Sequence, residues 1–341
     1  MAAFPIKREV DAATGASDHL IARQQEAPRS ASNLTDGRAT MKPQAPADTS
    51  VDPDLGPDSL LWRWAGDMRI AFEGGTAGLL QTMHPAIGHA LIDHSNFFDD
   101  PVDRVFRSLP GILGTVYNGP QAHATGIQVR DYHRQIKGVM PNGARYHALD
   151  PQTFWWAHAT FQRMVDRVAE YWDRHQLTDA ERELLYLEGC QWYRRYGMTE
   201  TVMPRDGAAF NAEFNRYCEE ALEPNPASDY LISFINRRAV PDMTSSPYFP
   251  VSPGLKPWAD LVLPAGPVRA MLAPPMRLVI FGGLPAGVRD RFKIAWTRSD
   301  ALAYRSLRVT VRAVWPYVPA SWKWHGVARK GWLRENGKVP R

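Results

Sequence analysis

The sequence predicts an all-α fold: one multi-helix globular domain behind a disordered N-terminal leader. Three observations predict it. Helix-start signals recur along the chain, each followed by apolar residues at helical spacing. No alternating strand series, no hairpin dipeptide between strand-like runs and no repeat interrupts them. With 44% hydrophobic residues, 12 Trp, 12 Tyr and 13 Phe in 341 residues, the chain has material for a large core or an apolar pocket.

Residues 1–57 hold six prolines and a single aromatic, Phe4, with no helical or strand period, and read as the leader. Order begins at Asp58, where Asp58 or Ser59 can cap a helix whose apolar face starts at Leu60 and Leu61. Gly74–Ile92 suits a helix packed on all sides, with Leu79, Leu80, Met83 and Ile87 on one face and Pro85 kinking or splitting it. Asp100-Pro101 opens a helix that Pro110-Gly111 is expected to end. Gln121–Lys137 is a further helical stretch.

Asp150-Pro151 pairs an N-cap with Pro at the first helical position, for a helix running to about Arg174. Thr178-Asp-Ala-Glu181 matches a capping box, and its helix reaches about Tyr196. Asp206–Leu222 places Phe210, Phe214, Tyr217 and Leu222 on one face. Residues 241–267, rich in Pro and Ser, read as a long connection. Helices resume over Val268–Phe281, Pro285–Ile294 and Ser299–Val314. The organisation expected is a leader over 1–57, a helical domain over 58–310 and a basic Trp-rich tail over 311–341.

The net charge of +4 is unevenly placed. Residues 1–57 carry six basic and eight acidic groups, whereas 301–341 carry nine basic groups against Glu335 alone. Such a tail suits a solvated helix or an anionic partner such as a phospholipid surface. Trp315, Trp322, Trp324 and Trp332 in the same stretch suit a membrane interface. The N-terminus has no secretory pattern, and the uncharged runs Gly74–Ile92 and Ser108–Val129 are too broken by polar residues, Pro and Gly for bilayer spans. A cytoplasmic protein that can rest on a membrane is expected, with no nucleic-acid partner.

Two cysteines, Cys190 and Cys218, exclude a disulfide scaffold and a four-cysteine metal site. Seven of the ten histidines lie between His84 and His158, a local excess of metal-ligating, near-neutral groups. No His-Glu-x-x-His is present, and no His has an acid three residues before it, which disfavours zincin and bundle di-iron sites. There is no Gly-x-Ser-x-Gly elbow and no Walker loop. A haem site needs less: one neutral His, aromatic and apolar walls, and Arg or Lys for the propionates. A nonhaem ion held by several of the clustered His and a non-catalytic, membrane-surface or partner-binding helical protein stay open beside it.

Several motifs in order then resemble one family. They are Leu80-Gln-x-x-His84-Pro85, Asp93-His94-Ser95, Asp100-Pro101-x-x-Arg104, Val129-Arg130-x-x-His133, Gly138, Tyr146-x-Ala148-x-Asp150-Pro151 and Trp156-x-His158. Leu177-Thr-x-x-Glu181 and Pro204 with Phe214-x-x-Tyr217 continue the pattern. Over about residues 60–310 the chain resembles the DUF2236 family, the MpaB / rubber-oxygenase catalytic domain. The resemblance implies an all-α fold of globin-like character, haem b and oxygenase chemistry with O2 on an apolar, lipid or isoprenoid-like substrate.

Residue by residue, Arg130-x-x-His133 resembles the family's Arg-x-x-His. This implies His133 as the iron ligand, with Arg130 orienting a propionate or ligand. Arg104-x-x-Arg107-Ser108 resembles a distal Arg-x-x-Lys-Thr, with Arg107 and Ser108 in place of Lys and Thr. A guanidinium is a poor iron ligand, so a distal amine–iron bond and polyisoprene cleavage are not implied. His84 is expected at the distal side, and His158 either at the cofactor or as a core hydrogen-bonding residue.

Overall fold

A computed structural model describes residues 55–340 apart from Ser245. The expected leader therefore lies outside the described residues up to Asp54. The capping signals act where they stand. Ser59 Oγ accepts from Trp62 N at the start of α1 (Leu60–Trp64), and the buried Glu188 carboxylate accepts from Leu60 N (3.1 Å) and Leu61 N (2.6 Å). The expected kink at Pro85 is a break between α2 (Ala71–Thr82) and α3 (Pro85–His94), with His84 at the junction.

One expectation fails within α4 (Pro101–Tyr117), which runs straight through Pro110. The missing amide costs roughly 3 kcal/mol. Beyond it Ile112, Leu113, Val116 and Tyr117 are all buried, each worth about 1.5–3 kcal/mol, so packing carries the helix on. A second expectation fails after α5 (Ala122–Asp131): the chain turns at 132–135 and then pairs β1 (Lys137–Val139) with β2 (Arg145–His147), Gly138 opposite Tyr146. Asn142-Gly143 lies in the loop that joins the two strands, with Gly143 at φ 84°, a conformation that favours glycine.

The centre of the fold is the pairing of α2 with α6 (Pro151–Arg167), whose start Asp150 caps by accepting from Gln152 N and Thr153 N. At one end Arg167 Nε donates to Glu73 Oε2 (2.7 Å), while Trp172 Nε1 donates to Glu73 Oε1 (2.6 Å). At the other end Gln81 Nε2 donates to Thr160 Oγ1 (2.7 Å), and Trp156 Nε1 donates to the Leu80 carbonyl (3.4 Å). These bonds set an antiparallel register between the two helices. A π-turn, Val168–Trp172, extends α6.

The remaining helices wrap this pair. The capping box at Thr178 and Glu181 starts α7 (Asp179–Arg194), and α8 (Gly207–Arg216) follows. A helix not foreseen, α9 (Pro226–Ile235), is started by Asn225, and the expected connection contains a short α10 (Lys256–Val262). Next comes α11 (Gly266–Gly283), where Thr76 Oγ1 of α2 donates to the Ile280 carbonyl (2.9 Å). It leads to α12 (Ala286–Arg291) and α13 (Arg298–Val314).

The last segment, α14 (Ala320–Lys323) and α15 (Gly326–Asn336), closes on the core. Trp332 meets Trp62 edge-on at 5.2 Å, and Arg334 donates to the Tyr117 carbonyl (2.7 Å). Trp324 and Trp332 are thus buried rather than offered to an interface, because Trp332 packs on Trp62 and Trp324 on Trp332 at 5.5 Å, where aromatic faces gain more than in water. The fold is all-α apart from one hairpin, and among the described residues no helix is long and apolar enough to cross a membrane.

Breaking a buried ion pair by removing one partner leaves an uncompensated charge. Glu73→Ala is expected to lower unfolding free energy by about 3–5 kcal/mol, measured by urea titration, and Arg167→Met in the same chain is expected to recover part of the loss.

Candidate functional site

The end of α5 is held between two neighbouring elements. A Cβ on Gly126 would lie 2.0 Å from the Arg195 carbonyl oxygen, so only glycine lets α5 approach the chain just after α7 this closely. On the other side Asn118 Nδ2 donates to Thr125 Oγ1 (3.0 Å). His133 therefore sits at a fixed place, in the turn after α5 rather than within a helix. The helix stops because the chain turns into β1, and His133 N bonds three residues back to the Arg130 carbonyl.

His133 is half-buried, and its Nδ1 lies 2.8 Å from the Val129 carbonyl. A carbonyl only accepts, so Nδ1 carries the proton and Nε2 presents a lone pair. Among the described residues no group hydrogen-bonds Nε2. Burial holds the imidazole below its ordinary value, with the Val129 bond opposing and the Arg104 charge assisting. Phe154 from α6 meets the ring edge-on at 6.1 Å. The result is a neutral imidazole of defined tautomer with a free nitrogen.

Arg104 of α4 is close enough to His133 to perturb it electrostatically. Burial, and then the charge of Arg107, bring Arg104 down to about 10. No hydrogen bond or ion pair from its guanidinium to another described residue is present. Arg107 is different: its Nε lies 2.8 Å from Asp103 Oδ2, and Asp103 Oδ1 also accepts from Ser246 Oγ (2.5 Å). Arg130 is likewise committed, to Asp131 (2.8 Å) and the Gly197 carbonyl (3.4 Å).

His84 stacks on Tyr217 at 6.3 Å and shares no hydrogen bond or ring contact with His133. Its Nδ1 is buried without a partner. Burial lowers it to about 4, against the opposing pull of Asp150. His158 lies one layer behind His133, beyond Phe154 and Tyr196, which touch each other at 5.4 Å. Its Nε2 donates to the Gly189 carbonyl (3.2 Å), and Trp192, Tyr193 and Tyr196 enclose the ring. Burial drives it to about 3. His158 thus has the environment of a core hydrogen-bonding residue. Its Nδ1, Gln162 Oε1 and the Tyr193 hydroxyl are buried without partners around a hole of about 10 Å³, room for one water.

The structure brings Arg104 to His133, keeps Arg107 and Arg130 in their own ion pairs, and sets His84 and His158 apart. The run of histidines in the sequence does not become a cluster. His94 Nε2 donates to the Lys137 carbonyl (3.0 Å) and His147 Nε2 to the Arg134 carbonyl (3.2 Å). Among the described residues no three His, Cys, Asp or Glu side chains are placed to hold a metal ion. A cavity of about 280 Å³ lies elsewhere, lined among others by Glu73, Thr160, Arg163, Arg167 and Phe214, and by none of the six residues expected at the site.

Residues 62–313 match the family described as the ER-bound oxygenase mpaB/B′/rubber oxygenase catalytic domain. The chain belongs to this family. No curated protein and no solved structure matches it. Within this oxygenase domain, sequence reasoning named Arg107 and Arg130 without their ion-pair partners. It missed Asp103 and Asp131, the acids that occupy Arg107 and Arg130. The signal was available, since Asp131 adjoins Arg130 and Asp103 is one helical turn before Arg107.

Two outcomes follow. Gly126→Ala is expected to destabilise the chain by about 1–3 kcal/mol, seen as a lowered denaturation midpoint, because a backbone carbonyl cannot yield to the new methyl. His158 is neutral when folded, with a value of about 3 against an ordinary 6.5. The unfolded chain binds its proton first, so this stability is present above about pH 6.5 and is lost as pH falls. Asp166, raised to about 6 by burial, acts with the opposite sign in both proteins compared. Between pH 6 and 4, the slope of unfolding free energy against pH is expected to be lower by ~1.4 kcal/mol per pH unit in His158→Gln than in the parent chain.

Proposed function

We propose that this chain is a haem b-dependent oxygenase that uses O2 on an apolar, lipid or isoprenoid-like substrate. The observation that carries the reading is His133: Nδ1 is spent on the Val129 carbonyl, and Nε2 is left as an unprotonated donor. A histidine that would hold iron needs that state, and the hydrogen bond on the far nitrogen orients the ring and raises its basicity. When bound, the haem supplies the redox chemistry with dioxygen.

The chain's own residues do the rest. His133 is the residue to hold iron. Arg104, a cation with no counter-ion among the described residues, suits a propionate or another anionic oxygen, which would balance a charge partly withdrawn from water. Arg107 is the neighbour that keeps Arg104 from relaxing toward Asp103, by occupying that carboxylate itself. Arg130 acts on the turn after α5 through Asp131 and Gly197. His84, neutral at physiological pH and with Nδ1 unpartnered, can exchange a hydrogen bond with a small polar ligand while contributing no charge. Phe154 and half-buried Val129 give the His133 surroundings an apolar wall, which favours a substrate whose desolvation is itself favourable.

An absorption spectrum tests the reading. The full chain produced with ample iron and haem precursor is expected to show a Soret band. In His133→Ala the band per chain is expected to fall at least about tenfold, while the exposed His123→Ala keeps it. A folded chain without haem absorbance, or a band indifferent to His133→Ala, overturns it.

A further inference from the structure

The corner formed by α10, residues 263–265 and the start of α11 stands outside the rest of the fold. None of residues 256–272 is buried, and the first buried side chain of α11 is Ala273. The exposed side chains are apolar to a degree that water does not favour: Trp258 is 62% exposed, Leu261 73%, Met271 69% and Val262 39%. Pro257, Pro264 and Pro267 punctuate the same stretch. Among the described residues nothing covers this surface, although the neighbouring helices bury aromatic residues thoroughly.

Its surroundings are basic. Over residues 237–275 the charged groups are Arg237, Arg238, Lys256 and Arg269 against Asp242 and Asp260. Lys256 pairs with Asp260 at 2.8 Å, and Asp242 Oδ1 accepts from Thr244 Oγ1 (2.7 Å) and Thr244 N (3.0 Å), which hold its carboxyl low with the Arg269 charge assisting. Arg237 and Arg238 remain as exposed cations with no acidic partner in that stretch. They are tied to α11, because Val240 N donates to the Arg269 carbonyl (3.1 Å) and Arg277 Nε donates to Asn236 Oδ1 (3.3 Å).

We propose that the α10–α11 corner docks on an anionic lipid surface. Trp258, Leu261, Val262 and Met271 enter the interfacial layer, and Arg237 and Arg238 meet lipid headgroups. Exposed Trp beside aliphatic residues suits the headgroup boundary, and unpaired arginines at the rim complement its charge. A second copy of the chain would present the same two cations to the patch, so like charges would meet. This surface is distinct from the one around His133, and the inference does not require the haem reading.

Co-sedimentation of the full chain with vesicles at low salt is the test. Binding is expected to mixed phosphatidylcholine/phosphatidylserine vesicles and to be much weaker with phosphatidylcholine alone. Trp258→Ser with Leu261→Ser, both exposed and so compatible with folding, is expected to weaken binding about tenfold or more. Each of Arg237→Gln and Arg238→Gln is expected to weaken it about fivefold. Absence of binding by the parent chain, or equal binding by the Trp258/Leu261 variant, overturns the proposal. So does light scattering that shows a dimer which this variant dissociates, with no vesicle binding by either protein.

Discussion

The buried ion pair between Glu73 and Arg167 is the constraint on which the rest of the structure depends. A carboxylate that is only 1% exposed must be satisfied on both oxygens, and Arg167 and Trp172 do so. Because both donors belong to the α6 segment, α2 has one register against α6. The Gln81–Thr160 and Trp156–Leu80 bonds repeat that register at the far end. Hydrophobic packing alone would tolerate a sliding of one helix on the other, whereas a displaced Glu73 would be left as an unpaired buried charge.

The register reaches the site through both helices. At the end of α2 it places His84, and at the start of α6 it places Asp150 and Phe154. Asp150 caps α6 and lies near enough to His84 to oppose its desolvation. Phe154 touches His133 on one side and Tyr196 on the other. A single pair of helices therefore sets Phe154 against His133 and holds His84 and Asp150 apart from it, while α5 delivers His133 from outside through the close contact at Gly126.

Much of this was legible in the sequence because it is written locally. Asp150-Pro151, Thr178 with Glu181 and Ser59 announce helix starts through bonds that span three residues or fewer. Features decided by long-range packing were less readable. Pro110 marks a helix end by local chemistry, and only the burial of Ile112–Tyr117 overrules it. Trp324 and Trp332 look like interfacial residues until Trp62, far away in sequence, is seen against Trp332. The histidines illustrate the same limit. Their closeness along the chain says nothing about direction, and backbone carbonyls take His94, His147 and His158 one by one. Asn142-Gly143 was a local signal passed over, because the strands it joins are only three residues long.

Half-buried Arg104 is treated differently from Arg69, Arg167 and Arg291. Arg69 is met by Asp67 and Asp173, and Arg167 by Glu73. Arg291 donates to the Cys218 and Leu222 carbonyls at 3.0 and 3.2 Å. In each case the fold supplies the acceptors from its own chain, as the cost of an unpaired charge in a low-dielectric interior requires. Arg104 departs from that pattern although Asp103 adjoins it, because Arg107 and Ser246 already occupy that carboxylate. An arrangement that diverts the nearest acid to a neighbour keeps a positive charge unspent beside His133. A guanidinium held so, next to an imidazole with a free nitrogen, is complementary to a ligand that combines an electron-pair acceptor with anionic groups.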